Sequence, residues 1–373
     1  MRIALDGRTI QDHFPGIGRY TYNLALGLTE LGSDDIVLLH NQRDANSRFD
    51  LNLLRARAGL TTLEANSAYF SPVEQWRIPR LVRRQRCSVY HSPYYLMPYL
   101  NPCPVVVTIH DLIPILYPQY FTAMQRVVFN VTVRLAARSA RVVVADSEAT
   151  AADLRRCLQL DSRKVRVVLA AADPSLTRPG EASIEGVRSA HGLAKPYVLY
   201  VGSNKPHKNL TRLVEAWSQV KNRGQADLVI AGAWDPAYDG PKIAAARLGI
   251  DREIRWLGSI PQAELAALYA GCAIFAFPSE YEGFGLPVLE AMACGAPVIC
   301  SDRSSLPEVA GDAAIVVDPD ESAPWTEALE RLLANTELRA DMARRSLLRA
   351  RQIRWAESAR RMRSIYEYAL EVW

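Results

Sequence analysis

Between Pro278 and Ser301 the chain reads PSEYEGFGLPVLEAMACGAPVICS, and seven residues separate its two glutamates, Glu282 and Glu290. Gly283, Phe284 and Gly285 lie between them, and the glycines let backbone approach a ligand closely. Pro287 suits the first position of a helix, where its missing N–H has no partner to lose. Gly295 suits the stop after the last turn. The spacing predicts a short helix over LPVLEAMAC with the glycine loop feeding its start. Such an end presents unpaired N–H groups and partial positive charge, which suits a phosphate. Glu290 falls about one turn in, where a carboxylate can accept both hydrogens of a vicinal diol such as ribose. Glu282 stands outside the helix, at a strand end. A plainer reading stays open, with one acid favoured by the helix dipole and the other an ordinary loop acid.

Other residues have chemistry within reach. His110 ends the apolar run VVVTIH and is followed by Asp111, although strand-end histidines in a core are usually hydrogen-bonded packing. Gly16 and Gly18 in PGIGRY open the backbone to a ligand, but a lone G-x-G recurs in ordinary turns. The loop HSPYYLMPYLNP offers Tyr94 and Tyr95, whose rings could stack on sugar faces or simply pack. In WRIPRLVRRQR, helical spacing puts Arg77, Arg80 and Arg84 near one face. That face is either solvated or docks on an anionic membrane or a pyrophosphate-linked lipid acceptor.

The elements that must position these residues alternate between short apolar runs and helix-period segments. RIALDG, IVLLH, SVYHS, VVVTIHD and RVVVADS are expected strands, with a helix over IGRYTYNLALGLTEL. The pattern restarts with YVLYVG, a helix from about Lys208, then DLVIAG, IRWLG, AIFAFPS, PVICS and AAIVVD. Near-continuous apolar strands belong to parallel sheets covered on both faces. The expectation is an α/β chain of two Rossmann-like, doubly wound domains facing a central cleft, with ligands beyond the carboxyl ends of strands. Residues 170–195 carry Pro174, Pro179, Gly180 and Gly186 without strong periodicity, so the domains are drawn as 1–190 and 191–354.

The bulk numbers agree with a two-domain globular chain of 373 residues, 49% hydrophobic and 23% charged. The net charge of +4 does not imply nucleic acid, although residues 1–190 hold 23 Lys and Arg against 17 Asp and Glu. The six cysteines form no C-x-x-C pair, which favours reduced thiols in the cytosol. MRIALDGRTI is too short an apolar stretch for a signal peptide, and no run suits a membrane span.

The stretch EGFGLPVLEAMACGAPVI resembles the signature of retaining glycosyltransferase family four, which has the GT-B fold. Four more segments resemble that family in order: GIGRY, VTIHD, VRVVLAAADPSL and YVGSNKPHKNL. The resemblance implies that Glu282 contacts the transferred sugar and stabilises charge, and that Glu290 holds the donor's ribose. It gives the backbone of Phe284, Gly285 and Leu286 to the sugar and diphosphate, His110 to the donor sugar, and Gly16 and Gly18 to the phosphates. Lys208 would contact the diphosphate, whose departure needs cationic stabilisation. Here the chain departs from the family. It reads PHK where many members read PRK, and Ser203 stands where many carry an arginine. Lys205 or His207 is left to supply the missing charge.

The reading is a retaining hexosyltransferase, with mannose as a candidate sugar. It would act between a nucleotide-diphosphate sugar and a glycan or lipid-linked acceptor in surface polysaccharide or lipopolysaccharide assembly. The first domain would bind the acceptor, with Tyr94, Tyr95 and Asp111 as acceptor contacts. The second would bind the donor, and a C-terminal helix over 355–373 would cross back onto the first. No cofactor, metal or nucleic acid is expected, and the location would be cytoplasmic or peripheral at a membrane. The rivals are a sugar-nucleotide epimerase or phosphorylase on the same fold and a non-catalytic nucleotide-sugar-binding partner. A dinucleotide oxidoreductase is disfavoured, because no compact G-x-G-x-x-G follows the first strand.

Overall fold

The computed structural model describes residues 1–42 and 44–373. The chain divides into two compact units, Met1–Ala171 with Arg354–Trp373, and Ala172–Ile353. The first unit holds β1 (Arg2–Asp6), β2 (Asp35–His40), β3 (Leu60–Glu64), β4 (Val89–Ser92), β5 (Val105–Thr108), β6 (Val142–Ala145) and β7 (Val165–Val167). The second holds β8 (Tyr197–Val201), β9 (Asp227–Ala231), β10 (Ile254–Gly258), β11 (Ile274–Phe277), β12 (Val298–Ser301) and β13 (Ala314–Val317). The sheet orders are β3-β2-β1-β4-β5-β6-β7 and β10-β9-β8-β11-β12-β13, and every pairing is parallel. The α/β fold of two Rossmann-like sheets is therefore as the sequence pattern led one to expect. In each sheet the winding reverses once, between β1 and β4 and between β8 and β11.

The central strands are buried along their whole length, as VVVT, VVVA, IFAF and VICS show. Helices cover both faces of a parallel sheet, so both side-chain sets of each strand must be apolar. Two strands went unexpected, β3 (LTTLE) and β7 (VRV), and they are the two edges of the first sheet. An edge strand has one neighbour and thinner cover. It can therefore carry Thr61, Thr62 and Arg166, and the continuous apolar signal is lost.

The units part between Ala171 and Ala172, at the start of the segment where the sequence placed the boundary and not at residue 190. Helix Glu181–Ala190 goes with the second unit. Arg178 Nη1 donates to the Ala270 carbonyl (3.2 Å), and His191 Nε2 meets Glu264 Oε2 (2.7 Å). Only Ile184 of that helix is buried, which explains its weak periodicity.

Helix Trp355–Glu371 lies within the first unit and buries Trp355, Ala359, Met362, Ile365, Tyr366 and Ala369. It approaches helix Pro15–Glu30 so closely that a Cβ on Gly27 would stand 3.1 Å from the Ala359 Cβ. A polar tie joins it to the sheet. The Tyr366 hydroxyl is 2.8 Å from His91 Nδ1, and His91 Nε2 is 2.9 Å from the Thr108 hydroxyl. Burial pushes His91 down to about 3, so the ring is neutral and one nitrogen accepts while the other donates. Tyr366→Phe leaves a buried imidazole nitrogen unpaired, at an expected cost of about 1–3 kcal/mol. The check is urea unfolding, where an unchanged midpoint would show the tie to be idle.

Candidate active site

Tyr94, Tyr95, His110, Asp111, Ser203, Lys205, Lys208, Glu282, Phe284 and Gly285 lie in connections that leave the carboxyl edge of their sheets, the edge where doubly wound sheets take ligands, whereas Gly16, Gly18, Leu286, Glu290 and the arginines of helix Glu74–Arg84 lie within helices. In the second unit, Lys208 follows β8 and Glu282 follows β11, the two strands flanking the reversal. They meet. Lys208 Nζ lies 2.6 Å from Glu282 Oε1 and 2.8 Å from Oε2, with both side chains largely buried. The chain here turns through a 3₁₀ element, Pro206–Lys208, and Asn209 sits at φ +53°. The helix starts only at Leu210, two residues later than expected, and this turn aims Lys208 across the reversal. The ammonium expected on a diphosphate and the carboxylate expected at a sugar hold each other in this structure.

The loop carrying Glu282 is fixed by serines that the sequence reading missed. Ser304 and Ser305 hydroxyls donate to the Glu282 carbonyl (2.5 and 3.0 Å), and Ser305 also reaches the Phe284 carbonyl (2.8 Å). Ser279 Oγ reaches the carbonyls of His207 and Tyr281, both at 3.1 Å. Serines in loops are too common to raise a signal, and these come from two separate segments. Phe284 is buried, and its carbonyl is taken by Ser305. Gly285 has φ +95°, and a Cβ there would stand 2.5 Å from Leu306 Cδ2, so both conformation and space require glycine. It caps helix Leu286–Ala293, where Pro287 has no N–H and Val288 and Leu289 donate to the Gly285 carbonyl, so the Gly285 and Leu286 N–H groups are the ones the helix does not use. Pro287 is thus the second helical residue rather than the first. Glu290 is buried, with Oε2 accepting from the Tyr269 hydroxyl at 3.2 Å, a partner on a different helix that the local sequence could not reveal.

The remaining phosphate candidates separate. Lys205 is exposed, and the Ser203 carbonyl accepts from the Tyr200 hydroxyl at 2.7 Å. His207 is buried, and burial with Lys208 and Lys205 nearby pushes it down to about 3. A neutral His207 does not carry an arginine's charge, so Lys205 and Lys208 are the cationic candidates in this segment. Asn204, another residue the sequence reading missed, clamps the next loop: its Nδ2 donates to the carbonyls of Asp235 and Tyr238, and its Oδ1 accepts from Asp235 N–H.

In the first unit, Gly16 and Gly18 are not in a loop but in the first turns of helix Pro15–Glu30. Gly16 is exposed with open space around it. Gly18 is required by packing, because a Cβ would stand 2.6 Å from the Thr9 carbonyl oxygen. His110 has both ring nitrogens engaged, Nδ1 with Asp146 Oδ2 (2.9 Å) and Nε2 with the Pro93 carbonyl (3.0 Å). Burial opposes its charge, but the hydrogen bond and charge of Asp146 outweigh it and hold the ring above its ordinary value. His110 is therefore not waiting with a free nitrogen for a sugar. Asp111 accepts from Ile113 N–H (3.1 Å) and shapes the following turn. Tyr94 and Tyr95 are half-buried with hydroxyls 3.1 Å apart, and Tyr94 also packs on Phe14 and Tyr69. Beneath them lies a network no motif announces. Arg8 is fully buried between Asp6 (Nη2 to Oδ2, 2.6 Å) and Glu74 (Nη1 to Oε2, 2.9 Å), under the Tyr69 ring.

A model of the family "Glycosyltransferase Family 4" matches residues 15–176, and one of "Glycosyl transferases group 1" matches residues 185–348. The chain belongs to the group 1, family 4 glycosyltransferases. One relative of this glycosyltransferase, O-antigen chain mannosyltransferase B of Escherichia coli, is 28% identical over 95% of this chain and 96% of its own. A D-inositol 3-phosphate glycosyltransferase of Corynebacterium efficiens is 32% identical over 62% of this chain and 57% of its own. Among solved structures, HepE of Anabaena in complex with UDP and glucose superposes with a TM-score of 0.77 at 20% identity, covering 99% of this chain and 100% of that one. Sucrose-phosphate synthase of Thermosynechococcus elongatus gives 0.79 at 20% identity over the full length of both. These likenesses show the GT-B fold.

The His110–Asp146 pair of the glycosyltransferase makes a pH prediction. The ring titrates higher folded than unfolded, so its contribution to stability is full below about 6.5 and lost as pH rises through the folded value. NMR titration should place the His110 midpoint above about 6.5, and Asp146→Asn should bring it down. The stability gap between wild type and Asp146→Asn should narrow as pH rises through the wild-type midpoint. A midpoint unmoved by Asp146→Asn would remove the pairing.

Proposed function

We propose that this glycosyltransferase moves a hexose, with retained anomeric configuration and no metal, from a nucleotide-diphosphate sugar to a glycan or lipid-linked acceptor in surface polysaccharide assembly. The observation that carries the reading is the Lys208–Glu282 pair at the reversal of the second sheet, in the loop that leads into helix Leu286–Ala293. A diphosphate arriving at that helix start would draw Lys208 away and free Glu282 for the sugar. Glu290, held by Tyr269, would present its remaining acceptor capacity to the ribose. The acceptor hydroxyl then attacks the anomeric carbon on the face the diphosphate leaves. The sugar–phosphate bond breaks with its electrons on phosphate, the new glycosidic bond forms, and the departing phosphate oxygen takes the hydroxyl proton. Lys208 and Lys205 stabilise the charge that develops.

The E. coli relative is named an O-antigen chain mannosyltransferase, and HepE was solved with UDP and glucose. Those names support surface-polysaccharide assembly and a nucleotide-sugar donor, with mannose favoured as the sugar. Among the described residues, no group of three or more His, Cys, Asp and Glu is placed to hold a metal ion, which supports a role for the lysines as the cations.

The two glutamates should fail differently. Glu290→Ala removes a charged acceptor from the ground-state complex, so nucleoside diphosphate binding should weaken about 10- to 100-fold. Glu282→Ala leaves Lys208 unclaimed, so that binding should hold while turnover falls. Calorimetry with nucleoside diphosphates beside initial rates tests both halves, and the reverse pattern would mean the roles are exchanged. In the transfer reaction itself, the rate should survive excess EDTA and proton NMR should show a retained linkage. An inverted linkage, or a rate restored only by added manganese or magnesium, would overturn that half of the reading.

A further inference from the structure

The amino edge of the first sheet lies opposite the edge from which Tyr94, Tyr95, His110 and Asp111 depart, and it holds a pocket of about 440 Å³. Arg138 comes to it from the last turn of its helix, Arg141 from just before β6 and Lys164 from just before β7. Sheet pairing brings these together. Arg141 N–H donates to the Val105 carbonyl of β5 (2.7 Å), and Val143 N–H donates to the Lys164 carbonyl (2.9 Å). Tyr368 and Trp373, at and beyond the end of helix Trp355–Glu371, line the same pocket.

Its charges do not balance. The one acid among its lining residues, Asp161, is spent on Arg163: Oδ2 accepts from Nη2 and Oδ1 from the backbone N–H, both at 2.8 Å. Among the described residues, no carboxylate pairs with Arg138, Arg141 or Lys164. Lys164 is half-buried, and its Nζ donates to the Arg138 carbonyl at 3.1 Å, so two of its three hydrogens are unspent. Burial and the nearby Arg141 hold its ammonium below the usual lysine value. Single arginines on a surface are ordinary, but three unpaired cations around one concavity repel one another, and a sequence that breaks a local rule in this way marks a functional place.

We propose that this pocket binds a soluble oligophosphate, an anion of linked phosphoryl groups. The guanidinium forks of Arg138 and Arg141 each take two phosphoryl oxygens, and Lys164 adds a compact third cation. Several charges on one ligand match several cations around one concavity, and a lone phosphate would leave most of the pocket empty. The site stands on the far side of the sheet from the first unit's candidate residues, so the ligand is an effector rather than a substrate. Tyr368 lies two residues beyond Tyr366, whose hydroxyl meets His91, so an occupied pocket braces the last helix on the sheet. The inference does not rest on the transferase reading, and binding is measured without turnover, so either can fail alone.

The test is calorimetric titration of the full chain with tripolyphosphate near physiological salt, about 0.15 M, where diffuse attraction is screened. K208Q removes the competing lysine of the second unit, and tripolyphosphate binding at the pocket should persist in it. R138S combined with R141S should weaken that binding at least about tenfold, since charge-assisted hydrogen bonds are lost. Both arginines are exposed, so without ligand the thermal midpoint of this variant should hold or rise. Saturating tripolyphosphate should raise the midpoint of wild type and not that of the variant. K164M, in the same series, should also weaken binding. Glycerophosphoglycerol, a phospholipid headgroup in soluble form with one phosphodiester, should not compete. Absence of a tripolyphosphate site in both wild type and K208Q, binding unchanged by R138S with R141S, or full competition by glycerophosphoglycerol would overturn the proposal.

Discussion

Every strand in both sheets runs the same way, and that single constraint organises the molecule. A parallel strand cannot be reached by a tight turn, so each return must cross a face as a helix. Helices on both faces bury both side-chain sets, which is why VVVT, VVVA, IFAF and VICS are apolar throughout. All strand-to-helix loops then leave from one edge. Those loops are the places where polar side chains can gather without disturbing the core. Where the winding reverses, adjacent loops turn apart and leave room, and there Lys208 and Glu282 come together.

On the carboxyl edges, buried charge is held in pairs. Arg8 lies just past β1, in the middle of the first sheet, with Asp6, Glu74 and the Tyr69 ring, and Tyr90 donates its hydroxyl to Asp6 at 2.7 Å. Removing one member would strand the others in a dry site, so the network specifies the loop after β1 more than it stabilises it. Lys208 and Glu282 are also paired, but each retains some exposure, and one is a flexible lysine that can turn to another anion. The first network is closed from water, whereas the second pair stands on the carboxyl edge with part of each side chain exposed. Serines 279, 304 and 305 tie the backbone carbonyls of the second loop and of His207.

Legibility in the sequence followed burial. Strands covered on both faces stood out as apolar runs, whereas the edges β3 and β7, with their threonines and arginine, did not. Glu282, Glu290, Gly285 and Lys208 were visible because glycine and proline punctuation frames them. Their partners were not, since Tyr269, Ser304 and Ser305 come from other elements and from residue types that recur everywhere. His110 was visible as a strand-end histidine, but its carboxylate partner, Asp146, is 36 residues on. Gly18 was read for a ligand and turned out to make room for a carbonyl. Arg138, Arg141 and Lys164 went unnoticed because they stand at a helix end and before two different strands, and they gather only when β5, β6 and β7 align.

The second unit is inserted, in sequence, into the first, which needs Arg354–Trp373 to complete it. During synthesis this sets an order. The inserted unit has all its residues once position 353 has left the ribosome, while the unit begun earlier still lacks Tyr366 over His91 and Trp355 over Tyr20. Until the last helix arrives, the side of the first sheet that it covers is open to water, with Gly27 and the buried His91 beneath it. The nascent chain therefore presents a finished C-terminal unit beside an unsealed N-terminal one, and a chaperone would find its binding surface on the part that was made first.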